Sequence, residues 1–255
     1  MYRVVIPARF GSVRLPGKPL LPLAGKPMIQ WVYENARRSG ASQVVVATDD
    51  ERIAELVRGL GGDACLTAAT HASGTDRIAE VARREQWHES DIVVNVQADE
   101  PLMPDALIDQ VALLLVEHAS ADLATLSVPL ESAEALLNPN VVKVVTDLQQ
   151  RALYFSRAPI PWLRDAAREG APAQSSYSVA QRHLGIYAYR VAALLRMAAL
   201  PPSRLEQIEK LEQLRALEHG MHIQLASAAV APGPEVNTTA DLAAVTALLE
   251  ARRAS

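Results

Sequence analysis

The sequence predicts an α/β protein built on an open, mostly parallel sheet with helices on both faces. The runs Val4-Val5-Ile6, Val44-Val45-Val46-Ala47 and Ile92-Val93-Val94-Asn95-Val96 are too apolar for exposed loops and too short for helices, so they read as buried strands. Helical segments alternate with these runs at the spacing of strand–helix–strand units, which implies parallel pairing. The 255 residues are 49% hydrophobic, enough for a substantial core. Residues 1–255 are therefore expected to form one domain with an excursion at about 156–181.

Each element has its own signal. After the first strand, Arg9, Arg14 and Lys18 fall in a turn-rich loop, and no Asp or Glu precedes Glu34. Met28, Ile29, Trp31, Val32 and Ala36 supply the apolar face of a helix, with Arg37 and Arg38 in its last turn and Gly40 beyond it. Asp49-Asp50 can cap a helix from Glu51 to Leu60, and Ser73 or Thr75 can cap one reaching about Arg84. The strand at Ile92 discharges into Gln97-Ala98-Asp99-Glu100-Pro101, ahead of a helix from Pro104 to His118. Beyond residue 120 the alternation breaks. Ala124 to Val128 and Val141 to Thr146 read as strands, and a further strand carries His183, Gly185 and Tyr187 on one face. Ser203 and Glu206 form a capping box for a single helix running to Gly220, with Leu205, Ile208, Leu211, Leu214 and Leu217 inward. Thr238 and Asp241 form another for a last helix ending near Arg253.

Composition excludes several classes. Net charge is −4, from 25 basic and 29 acidic residues, which argues against nucleic acid as a partner. The single cysteine, Cys65, excludes an internal disulfide and a thiolate metal cluster, and fits a reducing cytoplasm and a core position. No window approaches the length of a membrane span, so no membrane partner is expected.

The basic loop is a patch for an anion at the C-terminal end of a strand, where open α/β sheets bind ligands. It is not a Walker A loop, because five residues separate Gly11 from Gly17-Lys18 and Pro19 stands where Ser or Thr would hold magnesium. It lacks the dinucleotide pattern G-x-G-x-x-G as well. A carboxylate such as Asp99 beside this loop suits Mg2+, which takes one or two carboxylates and fills its remaining positions with phosphate and water. Spacing alone reads Asp99 equally well as a helix cap.

Several separated motifs then occur in order. Pro7-Ala8-Arg9-x4-Arg14-Leu15-Pro16-Gly17-Lys18-Pro19, His71-x-Ser73-Gly74-Thr75, Asn95-Val96-Gln97-x-Asp99-Glu100-Pro101 and Asn138-Pro139-Asn140-x2-Lys143 are the first four. Tyr154-Phe155-Ser156-Arg157, Arg182-His183-Leu184-Gly185-Ile186-Tyr187 and Leu211-Glu212-Gln213-Leu214-Arg215 follow. With these motifs the chain resembles the sugar-acid cytidylyltransferases that make CMP-Kdo from CTP and 3-deoxy-manno-octulosonate (Kdo). The resemblance implies a Rossmann-like, nucleotide-diphospho-sugar transferase-like fold, magnesium, a cytoplasmic homodimer and a role in lipopolysaccharide synthesis. It implies that Arg9, Arg14, Lys18 and Asp99 are catalytic, and that Pro7, Ala8, Ser73, Thr75 and Gln97 join the loop in binding the nucleotide. Arg157, Arg164, His183, Tyr187, Glu212 and Gln213 would bind the sugar acid, and Asp99 with Asn237 would bind the metal.

Two departures stand out. Asn237 occupies the place of a second metal-binding Asp in the family, offering an oxygen but no charge. Ala98 replaces a usual Gly, and its methyl could crowd the nucleotide or demand a different backbone. Other readings are the same reaction on another acid sugar, such as 8-amino-Kdo or a nonulosonate, and a CTP-binding regulatory protein with an impaired site.

Overall fold

The computed structural model describes residues 1–11, 15–164, 177 and 179–254. Arg14 and half of the 156–181 excursion, residues 165–176 and 178, therefore lie outside the described residues. The central strand β1 (Tyr2–Ala8) pairs in parallel with β4 (Gln43–Thr48) on one side and β6 (Ile92–Asn95) on the other. A short ribbon of β2 (Pro22–Leu23) and β3 (Lys26–Pro27) lies between β1 and the first helix. Strand β5 (Asp63–Leu66), for which the sequence carried no clear strand signal, extends the parallel set beyond β4 and holds the half-buried Cys65.

On the other flank β10 (Gln181–Arg190) runs antiparallel to both β6 and β7 (Leu123–Pro129). Strand β11 (Ile223–Ser227) pairs in parallel with β7 at the edge. The hairpin of β8 (Lys143–Thr146) and β9 (Ala152–Ser156) joins the first residues of β10. The order is thus β11-β7-β10-β6-β1-β4-β5, open and largely parallel, as the alternation of the first half predicts.

Strand periodicity builds a core on each face, because alternate side chains of a doubly covered sheet are both buried. Val4, Ile6, Val44, Val46, Val94 and Val96 pack with α1 (Met28–Arg38), α2 (Glu51–Gly59) and α4 (Asp105–Glu117). Val5, Val45, Ala47 and Val93 face the opposite core with α3 (Gly74–Arg84) and α6 (Val191–Ala199). Truncating a fully enclosed side chain such as Ile6 to Ala should cost ~2–5 kcal/mol. Among the described residues no helix is long and apolar enough to cross a membrane.

The remaining helices set the margins of the site. A short α5 (Ala133–Leu137) is capped by Ser132. The single helix expected from Ser203 to Gly220 is instead two, α7 (Arg204–Glu209) and α8 (Gln213–Glu218). Lys210 breaks them in a left-handed conformation at φ 55°, and Ile208 is exposed. The Ser203–Glu206 pair caps α7 as expected through Ser203 N, which donates to Glu206 Oε2 at 2.9 Å, while Ser203 Oγ has no hydrogen-bond partner among the described residues. The helical periodicity is genuine on both sides of residue 210, but the break turns Glu212 and Gln213 from the flank of a helix to the start of a new one. The last helix, α9 (Thr239–Ala254), carries its expected cap, with Asp241 Oδ2 accepting from Thr238 N at 2.7 Å.

Candidate active site

Two cavities open side by side at the C-terminal ends of β1 and β6, and Gln97 lines both. The first, of about 320 Å3, is lined by the predicted Pro7, Arg9, Lys18, Ser73, Gln97 and Asp99. Its basic loop is closed by a bond from Gly17 N to Phe10 O. Gly17 adopts φ 68°, and a β-carbon there would meet the Phe10 ring at 3.0 Å, so glycine is required on both counts. Asp49 at the end of β4 accepts from Phe10 N at 3.1 Å and from Arg77 at 3.1 Å, anchoring the loop to the sheet. Ser73 caps α3 through a reciprocal box with Asp76, and Gly74 lies close over Pro7. Ala8 is placed differently from its neighbours: its side chain is buried in the sheet core and lines neither cavity.

Lys18 and Asp99 form an ion pair at 2.7 Å in this cavity. The carboxylate therefore already attracts a cation, and its oxygen is of the hard type that magnesium prefers. Val236 N donates to Asp99 O at 2.9 Å, which brings Asn237 alongside. Close packing holds that segment in place. A β-carbon on Gly233 would lie 2.4 Å from Leu102, and Val236 is buried with Leu15 of the basic loop and Leu102. Asn237 Nδ2 donates to Glu235 at 3.0 Å, so the neutral amide lies beside a carboxylate. Among the described residues no three His, Cys, Asp or Glu side chains converge as a ready cage. The donors fit a magnesium that takes its other ligands from phosphate and water. Ala98 lines the first cavity with φ outside the positive region, so its methyl imposes no backbone strain there.

The second cavity, of about 480 Å3, is lined by the predicted His183, Tyr187, Glu212 and Gln213. The pairing of β10 with β7 jumps between Leu184 and Tyr187, which opens the strand where Gly185 lines the wall. His183 Nε2 lies 3.0 Å from Thr125 Oγ1, and burial, helped by the nearby Arg182, pushes the imidazole down to about 3. It is neutral at physiological pH, able to donate or accept a hydrogen bond but a poor base. Burial raises the Glu212 carboxyl and the Tyr187 phenol. Thr75 does not line either cavity; its hydroxyl donates to Glu212 Oε2 at 2.6 Å, tying the start of α3 to the second cavity.

Three buried polar atoms here have no hydrogen-bond partner: Asn95 Oδ1, Tyr187 Oη and Glu212 Oε1. Buried polar atoms are normally satisfied, so such a group marks where a ligand supplies the missing bonds. Asn95 was not among the site residues expected from the sequence. Its one signal was a polar side chain ending the apolar run Ile92-Val93-Val94. Arg157 and Arg164 line neither cavity. The Arg157 guanidinium donates instead to the carbonyls of Glu209, at 2.7 Å, and Pro139, at 2.8 Å. The buried Lys143 reinforces this corner by donating to Arg157 O at 2.6 Å.

A cationic loop at one cavity, an acidic turn between the two, and a second cavity with unsatisfied polar atoms describe a nucleotidyltransferase: one pocket for a polyphosphate, one for a polar acceptor. The comparisons agree. The family model described as Cytidylyltransferase matches residues 3–223. The chain is 55% identical over 253 residues to the 3-deoxy-manno-octulosonate cytidylyltransferase of Pseudomonas fluorescens, covering 98% of each chain. It is 53% identical to the protein of that name from Nitrosococcus oceani, over 97% of this chain and 96% of the relative. A solved structure of CMP:2-keto-3-deoxy-manno-octonic acid synthetase complexed with CTP superposes with a TM-score of 0.88 at 42% identity, covering 99% of this chain and 100% of that one. The chain belongs to the cytidylyltransferase family and, within it, to the 3-deoxy-manno-octulosonate cytidylyltransferases.

Proposed function

We propose that this protein transfers CMP from CTP to Kdo, releasing pyrophosphate and giving CMP-Kdo for lipopolysaccharide synthesis. The observation that carries the reading is the pair of adjoining cavities meeting at Gln97, one lined by Arg9 and Lys18 and the other by His183, Tyr187 and Glu212. CTP lies in the first, its triphosphate against Arg9 and Lys18 of the basic loop. The acceptor lies in the second with its anomeric hydroxyl toward the α-phosphorus. The new oxygen–phosphorus bond forms as the bond to the β-phosphate oxygen breaks, and the hydroxyl proton is released. No strong protein base is required: phosphoryl chemistry of this kind rests on positioning and on stabilising the departing charge.

Arg9 and Lys18 stabilise the leaving pyrophosphate, and Gln97 keeps the two substrates in register at the seam. Asp99 and Asn237 are the residues that would hold Mg2+, which when bound neutralises phosphate charge and acidifies the attacking hydroxyl. A cytoplasmic homodimer belongs to the same proposal. Incubating the purified protein with CTP, Mg2+ and a panel of acid sugars tests the function. Pyrophosphate release with Kdo, in step with CMP-Kdo formation, is expected; no release with Kdo or any close analogue would sink it.

A further inference from the structure

An acid sugar brings a carboxylate into the second cavity, where the carboxylates of Glu212 and Glu235 already lie. A cation must compensate. Among the described residues lining this cavity, Arg182 is the one permanent cation, since His183 is held neutral. No hydrogen bond or ion pair joins the Arg182 side chain to any described residue. Among the neighbouring arginines Arg9 lines the first cavity, and two others are committed. Arg77 is tied to Asp49, and Arg157 to the carbonyls of Glu209 and Pro139. A half-buried guanidinium with five donors and no hydrogen bond to any described residue, close enough to the buried Glu100 to favour its charged form, in a cavity wall that also carries unsatisfied polar atoms, is poised for an anion.

We propose that Arg182 binds the acceptor's carboxylate and thereby selects an acid sugar over a neutral one. Asn95 Oδ1, Tyr187 Oη and Glu212 Oε1 are then left to read its hydroxyls. The inference rests on the proposed reaction but assigns to Arg182 a contact that the resemblance gives to Arg157 and Arg164.

The test pairs a change in the protein with a change in the ligand. Turnover of Kdo and of its carboxamide analogue is measured for wild type, Arg182→Gln, Arg182→Lys and Arg157→Gln. Wild type is expected to favour the acid by roughly 10–100-fold in kcat/KM, the range of a charge-assisted hydrogen-bonded pair. Arg182→Gln should raise the KM for Kdo by a similar factor, leave the KM for CTP within about twofold, and lose the preference for acid over amide. Arg182→Lys should keep part of that preference, and serves where the Gln variant folds poorly. Arg157→Gln should keep the ratio whatever it does to stability. The proposal is overturned if Arg182→Gln discriminates as wild type does, if its defect falls on CTP, or if Arg157→Gln erases the ratio. A wild type that turns over neither ligand fails the reaction itself, a separate result.

Discussion

The two cavities share a wall but are built in opposite ways. In the first, polar groups are already paired with one another: Lys18 with Asp99, Arg77 with Asp49, Ser73 with Asp76, His71 with Glu80. In the second, among the described residues, Asn95 Oδ1 and Tyr187 Oη lack a hydrogen-bond partner, Glu212 Oε1 has only Arg215 at 3.8 Å, and Arg182 makes no hydrogen bond or ion pair. The first site is therefore preorganised by its own charge network, and in the proposed reaction a polyphosphate enters by exchanging partners. The second carries a standing desolvation cost that only a ligand with many hydroxyls and a carboxylate relieves. Substitutions should separate the two: in the first they remove rate with little change in stability, and in the second they remove acceptor binding while stabilising the free protein.

The largest effect should come from Lys18→Gln. In the proposed reaction its ammonium stabilises charge on departing pyrophosphate, and losing one such group costs roughly 10²–10³ in kcat. The ion pair it forms is partly exposed, with 12% and 32% side-chain exposure for Lys18 and Asp99, so its loss should cost under ~1 kcal/mol. Steady-state kinetics beside thermal unfolding should therefore show a collapsed rate and a Tm within ~3 °C of wild type. A large fall in Tm would mean that the network holds the fold and not only the ligand.

Glu212→Gln should do the reverse. Burial holds the carboxyl above its ordinary range, so the folded protein keeps a proton that the unfolded chain gives up. That contribution to stability is complete below the unfolded pKa and is lost as pH rises toward the folded value. An amide has no such dependence. The variant should match wild type near pH 5 and be the more stable of the two at pH 8, read as a higher Tm. Its KM for the acceptor should rise ~10-fold because the Glu212 oxygen no longer accepts from a hydroxyl. A variant that loses stability with rising pH as wild type does would show that Glu212 is not the strained group.

Much of this arrangement was legible in the chain, and the failures cluster where function overrides a local rule. Alternating β-branched residues predicted β1, β4 and β6, because both faces of those strands are buried. Capping boxes located α3, α7 and α9 through bonds that depend only on neighbours three residues apart. The uninterrupted helix over 203–220 failed because Lys210 breaks it in a left-handed turn that propensity does not foresee. That break presents Glu212 and Gln213 to the acceptor cavity. Strand β5 escaped notice because Asp63-Ala64-Cys65-Leu66 carries a weak pattern and sits at the sheet edge. Asn95 and Arg182 were missed as site residues because nothing in a spacing reveals which buried polar atoms end up without partners.

Asn237 tests the boundary between the two cavities, with the smallest expected effect. Asp99 lines the first cavity and Glu235 the second; the Asn237 amide donates to Glu235, and the backbone bond from Val236 N to Asp99 O ties this segment to the first cavity. An amide there lets two carboxylate-bearing segments approach with less repulsion than a third carboxylate would bring, at the expense of charge for a divalent cation. Asn237→Asp should restore that charge, lowering the Mg2+ concentration for half-maximal turnover by roughly 3–10-fold. Without metal the new carboxylate faces Glu235, so metal-free Tm should drop slightly and Mg2+ with CTP should recover it. If neither the Mg2+ dependence nor the metal-linked Tm moves, Asn237 is not a metal ligand, and the charge shared between the cavities rests with Asp99 and Glu235 alone.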